Sequence, residues 1–230
     1  MTSTASKRYL TKSLFKKACE CPRKLAYEQS PKFRADSGGQ FLQSLAVEGQ
    51  KVGAYSQLAL FPRGIQVGGS RRASNHTLDK LVDDTRSFLI HSEPGTAIFE
   101  GAIRSGPLFI RADIVHKVAE NELHLMEIKG KSWDSRKDRN DLLLGKRGGI
   151  KAEYLPYIRD VAFQKMVVSQ AYPEFNVTAW LVLPDKGKTN TQVPNLNGLF
   201  RVVQSSTRIS VNDDPVAMTH LLSLTSYREN

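Results

Sequence analysis

Asp113, Glu127 and Lys129 are the residues of this chain best suited to do chemistry. They lie in two runs, Phe109-Ile110-Arg111-Ala112-Asp113 and Met126-Glu127-Ile128-Lys129, each rich in apolar side chains. A strand sends every second side chain to one face, so Glu127 and Lys129 point the same way. The runs read as strands over 107–118 and 122–130. If Ala119, Glu120 and Asn121 form a three-residue turn, with Asn121 in its left-handed position, Lys117 pairs with Leu123 and Asp113 falls opposite Glu127. A two-residue turn would instead send the acids to opposite faces. Like charges facing each other across a ladder are destabilising unless a cation lies between them. A hard divalent ion, which prefers carboxylate oxygens, would supply that charge.

The elements that must position this pair come from most of the chain. The pattern over 11–28 is helical but interrupted by Pro22, which allows two short helices or one kinked helix. Its basic residues Lys12, Lys16, Lys17, Arg23 and Lys24 form either a solvated face or a track for phosphates. A long helix is expected over 40–60, where Phe41, Leu45, Val52, Tyr55 and Ala59 trace one stripe with Glu48 inside it. A carboxylate within an inward-facing apolar stripe is costly unless paired or bound to metal, so Glu48 is a candidate third acid, unless it sits at the stripe's edge and reaches water. Gln50 lies on a different face of that helix. A short strand at 65–67, a helix over 77–90 and a strand over 97–103 carrying Glu100 should follow. A helix over 156–171 bears Gln164, and the nearly continuous apolar run over 177–183 reads as a buried central strand.

Residues 131–151 hold seven basic and three acidic residues and begin directly after Lys129. With Trp133 to stack on a base, and Arg136, Lys137 and Arg139 to meet phosphates, this loop suits a phosphodiester backbone; the alternative is a surface insertion. The 230 residues carry a formal net charge of +10, which points to a polyanionic partner. No run approaches the roughly 18 to 20 apolar residues that span a bilayer. With no secretory signal visible and Cys19 and Cys21 poorly placed to bridge each other, a cytoplasmic setting is expected. His76, His91, His116, His124 and His220 show no ligand spacing, although His116 and His124 share the hairpin.

The Asp…Glu-X-Lys arrangement at Asp113, Glu127 and Lys129 resembles the PD-(D/E)XK nuclease superfamily. Further motifs are similar to its RecB-like and CRISPR-associated exonuclease branch: Tyr9-Leu10-Thr11-Lys12-Ser13 leading into Cys21-Pro22-Arg23-Lys24, then Glu48-Gly49-Gln50-Lys51-Val52-Gly53, and Asp160-Val161-Ala162-Phe163-Gln164. The likeness covers roughly 9–185. Gln50 stands where relatives often carry a metal-binding histidine, and Val168 where they carry tyrosine. The two cysteines cannot hold a cubane cluster, so no iron–sulfur centre is expected.

The resemblance implies an α/β fold with a restriction-endonuclease-like core, a central mixed sheet flanked by helices, and an N-terminal helical segment. Residues 1–8 are expected to be disordered and 9–230 to form one domain: a helical segment 9–92, the sheet and catalytic core 93–185, and a C-terminal appendage 186–230. It implies a Mg²⁺- or Mn²⁺-dependent deoxyribonuclease, an exonuclease rather than an endonuclease, serving recombination, repair or defence. Asp113, Glu127, the carbonyl of Ile128 and either Glu48 or Gln50 would hold the ion. Lys129 would orient water or stabilise charge, and Gln164 would help position substrate. DNA, single- or double-stranded, is the expected partner, with other proteins of a nucleic-acid-processing complex as further candidates; no membrane is expected. The alternative is a catalytically degraded nuclease-like fold that binds nucleic acid or a protein, which the Gln50 and Val168 departures favour.

Overall fold

The computed structural model describes residues 9–30, 32–33, 39–68, 77–136, 143–145, 147–187, 200–203 and 208–211. It is an α/β structure with a mixed central sheet flanked by helices. Strands β2 (Ile65–Gln66), β3 (Ala97–Ser105), β4 (Leu108–Ala119), β5 (Glu122–Ile128) and β6 (Asn176–Val182) lie side by side in that order, and β1 (Leu10–Thr11) joins β4. The β3–β4 and β4–β5 pairs are antiparallel, whereas β2–β3, β5–β6 and β1–β4 are parallel. A separate antiparallel pair, β7 (Phe200–Val203) and β8 (Arg208–Val211), lies in the expected appendage. Lys137, Arg139 and the helix expected near 216–224 fall outside the described residues.

The helices follow the sequence pattern closely. Pro22 splits the first segment into α1 (Lys12–Glu20) and α2 (Pro22–Gln29), with Thr11 capping α1 by accepting the Leu14 N–H. Then come α3 (Gln40–Leu60), α4 (Leu78–His91), capped by Thr77, and α5 (Leu155–Ala171). The buried residues of α5 are Asp160, Phe163, Gln164, Val167 and Val168, a spacing that draws one stripe along the helix. Its apolar members pack on Val115, Leu123, Leu125 and Val177, forming the larger core. Burying each such side chain stabilises the fold by roughly 1.5–3 kcal/mol. A smaller cluster of Phe99, Ile114, Met126 and Ile128 is covered by Val52, Leu60 and Phe61 at the end of α3.

The structure departs from two expectations. The run over 177–183 is not a central strand: β6 is the last strand of the described sheet, and Trp180 is 44% exposed. It reads as uniformly apolar because Val177 faces the larger core while Val182 packs on the smaller one. The turn between β4 and β5 has two residues, Glu120 and Asn121, and Asn121 is not left-handed. Ala119 pairs with Glu122, yet Lys117 pairs with Leu123, because a bulge between them absorbs Val118. The bulge restores the register that a bare two-residue turn would have lost, since it inserts one extra residue on one strand.

Among the described non-glycine residues, Glu100 alone has a left-handed backbone, with φ 55°. That conformation costs about 1–3 kcal/mol for a residue with a side chain. The alternation of faces breaks there. Ile98 and Ile103 belong to the same core although they are five positions apart, and so do Ala112 and Val115, three positions apart on the partner strand. By the β3–β4 register, Glu100 stands opposite Asp113. The irregular backbone therefore lies beside the first of the two acids.

Candidate functional site

The β4–β5 register, Ile114 with Met126, carries on to set Asp113 against Glu127. The two carboxylates converge. Lys12 Nζ lies 3.0 Å from Glu127 Oε1, 3.1 Å from Glu127 Oε2 and 3.8 Å from Asp113 Oδ1. The Ile128 N–H donates to Asp113 Oδ2 at 2.8 Å. Lys129 shares the face of Glu127, as strand alternation requires, and its ammonium donates both to Glu127 Oε1 and, at 2.7 Å, to Asp160 Oδ2. Gln164 donates to Glu127 Oε2 at 2.7 Å. Three acids, two lysines and an amide from α1, β4, β5 and α5 thus form one network.

Each element has a local reason for delivering its residue. Because β3 flanks β4 along its length, β5 and β1 share the other edge: β5 pairs from Ile114 onward, and β1 pairs at Leu108 and Phe109. The chain leaving β1 turns at once into α1, so Lys12 emerges beside the end of β5. Stacking of Phe15 on Phe163, with ring centroids 4.4 Å apart, fixes α1 against α5. On α5, Asp160 and Gln164 are four residues apart and therefore neighbours on one face, above Phe163 and Val167. From α3, Gln57 donates to the Asp113 carbonyl at 3.1 Å, holding the backbone that carries the acid.

Burial sets the electrostatics. Glu127 is 1% exposed and Asp160 fully buried, and an uncompensated carboxylate in such a place costs several kcal/mol. For Glu127, burial acts to raise the pKa, but Lys12, Lys129 and the Gln164 amide outweigh it and hold the carboxyl down to about 2. Asp113 has weaker partners, so burial, followed by the charge of Glu127, pushes it up to about 7. Burial opposes the charge of Lys129, yet Glu127 and Asp160 hold the ammonium up to about 12. Lys12 is likewise raised, burial being overcome by Asp113 and Glu127. The Gln164 carbonyl oxygen is buried with no hydrogen-bond partner.

Several expected residues sit elsewhere. Glu48 is not within a buried stripe. It lies on the exposed first half of α3, where Leu45 is 52% exposed, and pairs with Lys51 at 2.6 Å. The stripe is partly buried only from Val52 onward, where α3 reaches the sheet. Gln50 is exposed as well, although Gly49 closely approaches Gly130 just past Lys129. Trp133 is partly buried and tied by its backbone to Pro184 and Lys186, and Arg136 pairs with Asp134 at 3.3 Å. Gln164 is fully buried, so it acts on Glu127 and not on a ligand's surface. Glu100 is partly buried near Arg111, 3.6 Å away. His116 and His124 do meet, not at the surface but half-buried in an aromatic row with Phe61 and Trp180.

Two members of the network went unassigned in the sequence. Asp160 had a signal, its four-residue spacing from Gln164 on a face otherwise apolar. Lys12 was readable only as one of several basic residues and as part of the Tyr9–Ser13 motif, since its place in the network depends on the non-local pairing of β1.

A divalent ion fits the acids in type and number. Among the described residues, no three His, Cys, Asp or Glu side chains gather as a metal site. Mg²⁺ asks for less, being held by one or two carboxylates while keeping several waters. Asp113 and Glu127 supply two carboxylates of that kind. Comparison with family models, curated proteins and solved structures returns no match.

Proposed function

We propose that this chain is a Mg²⁺- or Mn²⁺-dependent nuclease that hydrolyses phosphodiester bonds of DNA, with the restriction-endonuclease-like core of the PD-(D/E)XK superfamily. The observation that carries this reading is the convergence of Asp113 and Glu127 from adjacent strands, with Lys129 on the same face as Glu127. Carboxylates are not brought together in a buried place for stability alone, because each raises the other's cost. Asp113, Glu127 and the Ile128 carbonyl would hold the ion. Such an ion lowers the pKa of a bound water and neutralises charge on a phosphorane-like transition state. Lys129 presents its ammonium to the attacking water or to the scissile phosphate, with Asp160 fixing its position. Gln164 fixes the Glu127 carboxylate. The surplus positive charge of the chain draws a polyanion towards the site.

One observation favours a second reading. Both Glu127 oxygens already have partners in Lys12, Lys129 and Gln164, a self-contained arrangement that would suit a nuclease-like fold retained only for binding. Incubating linear and circular DNA with Mn²⁺ separates the two. The nuclease reading expects degradation that EDTA stops and that Asp113→Ala or Lys129→Ala lowers at least a hundredfold. Cleavage indifferent to both changes refutes the assigned site. Salt-sensitive DNA binding without any cleavage supports the binding module.

A further inference from the structure

We propose that Lys12 is a built-in counter-ion that competes with the divalent cation for Asp113 and Glu127, so that cation entry and departure of the Lys12 ammonium are one event. This rests on reading the two acids as a cation site.

The geometry sets Lys12 apart from Lys129. The Lys12 ammonium lies 3.0 and 3.1 Å from the two Glu127 oxygens and 3.8 Å from Asp113 Oδ1, between the very atoms an ion would need. Carboxylate oxygens approach Mg²⁺ to about 2.0–2.1 Å, so an ion held by both acids and an ammonium seated between them would crowd and repel each other. Lys129 reaches Glu127 from another side and is held back by Asp160 at 2.7 Å. Its side chain is 16% exposed, against 24% for Lys12, whose ion pairs among the described residues are with Asp113 and Glu127 alone. Lys12 is thus the cation that can leave and Lys129 the one that stays.

The charge count agrees. With Asp113 deprotonated, as cation binding requires, the three carboxylates and the ammoniums of Lys12 and Lys129 leave −1. Exchanging one ammonium for a divalent ion brings the cluster to zero. The exchange needs only side-chain rotation, because Lys12 is the first residue of α1 and that helix is anchored independently by the Thr11 cap and the Phe15–Phe163 stack. The device serves the protein in two ways. It keeps buried acids compensated when divalent ions are scarce, and it sets the ion concentration at which the site fills.

The test is Mn²⁺ affinity by isothermal titration calorimetry, together with thermal melting in EDTA and in Mn²⁺, for wild type, Lys12→Met, Lys12→Arg and Asp113→Ala. Lys12→Met is expected to bind Mn²⁺ at least tenfold more tightly, to melt several degrees lower in EDTA, and to regain more on adding Mn²⁺ than wild type does. Lys12→Arg keeps the counter-charge in a forked form that suits carboxylates, so Mn²⁺ should bind it at least fivefold more weakly while its melting in EDTA stays near wild type. Should Lys12→Met fail to fold, Lys12→Arg alone decides. Unchanged affinity in either folded variant, or weaker binding by Lys12→Met, overturns the competition; if Asp113→Ala still abolishes binding, the cation site itself survives. Mn²⁺ binding that is absent from wild type and Lys12→Met, or indifferent to Asp113→Ala, removes the cation site and this inference with it.

Discussion

The two ends of the β4–β5 hairpin handle buried charge in opposite ways. Near the turn, Lys117 is 2% exposed, and its ammonium is satisfied one-to-one by the Ser92 carbonyl at 2.8 Å and the solvent-exposed Glu120 at 3.0 Å. At the open end, Lys12 and Lys129 share Asp113, Glu127 and Asp160, and the Gln164 carbonyl oxygen is left over. The first arrangement is closed, drawing on its own hairpin and the loop after α4. The second is assembled from four distant elements and, once Asp113 is deprotonated, holds an excess of negative charge. A closed pair is what stability asks of a buried lysine; an open, over-acidic cluster is what a cation-dependent reaction asks.

The comparison breaks most visibly at Glu127. Glu127→Ala strips a shared partner from Lys12, Lys129 and Gln164, so we expect a loss of roughly 3–5 kcal/mol in urea denaturation and at least a hundredfold loss of DNA cleavage. Were stability to fall while cleavage held, the open end would be structural like the turn.

Asp113 sharpens the contrast through pH. Its folded pKa, about 7, lies above the ordinary carboxylate value of 3.8, so the folded protein holds this proton more tightly than the unfolded chain does. Its contribution therefore weakens as pH rises between about 4 and 7. Asp113→Asn cannot titrate, and in EDTA its stability relative to wild type should improve by about 4 kcal/mol across that window. A flat difference would mean the acid is well compensated. Glu127 behaves oppositely, its depressed pKa of about 2 giving stability that fades as pH falls below about 4.5.

Lys117→Met tests the closed end. Removing one satisfied pair should lower stability by about 1 kcal/mol and leave DNA cleavage per folded molecule unchanged. The smallest effect is expected from Glu48→Ala, since an exposed pair with Lys51 contributes little, and Mn²⁺ affinity by calorimetry should match wild type.

Much of the hairpin was legible because its constraints are local. Apolar alternation marked both strands, and the pairing of Lys117 with Leu123, expected on condition of a three-residue turn, is the one the structure adopts. The compensating bulge at Val118 was not legible, since nothing in the side chains distinguishes a three-residue turn from a two-residue turn plus a bulge. Helix bounds were readable from Pro22, Thr77 and the apolar period of α5, and α3 spans the expected residues. Its burial was misread because periodicity shows that one face is apolar, not how far the helix overlaps the sheet. That error made Glu48 look like a ligand. The place of Lys12 stayed hidden for the complementary reason: a two-residue parallel strand carries almost no pattern, yet it delivers the lysine that pairs with both acids.

The central claim is that Asp113 and Glu127 converge on one divalent cation. Anomalous diffraction from crystals grown with Mn²⁺ tests it most directly. The account predicts a single strong peak about 2.2 Å from a carboxylate oxygen of each acid, with Lys129 still on Asp160. A Mn²⁺-saturated crystal with no peak there, and Lys12 still seated between the two carboxylates, would contradict it.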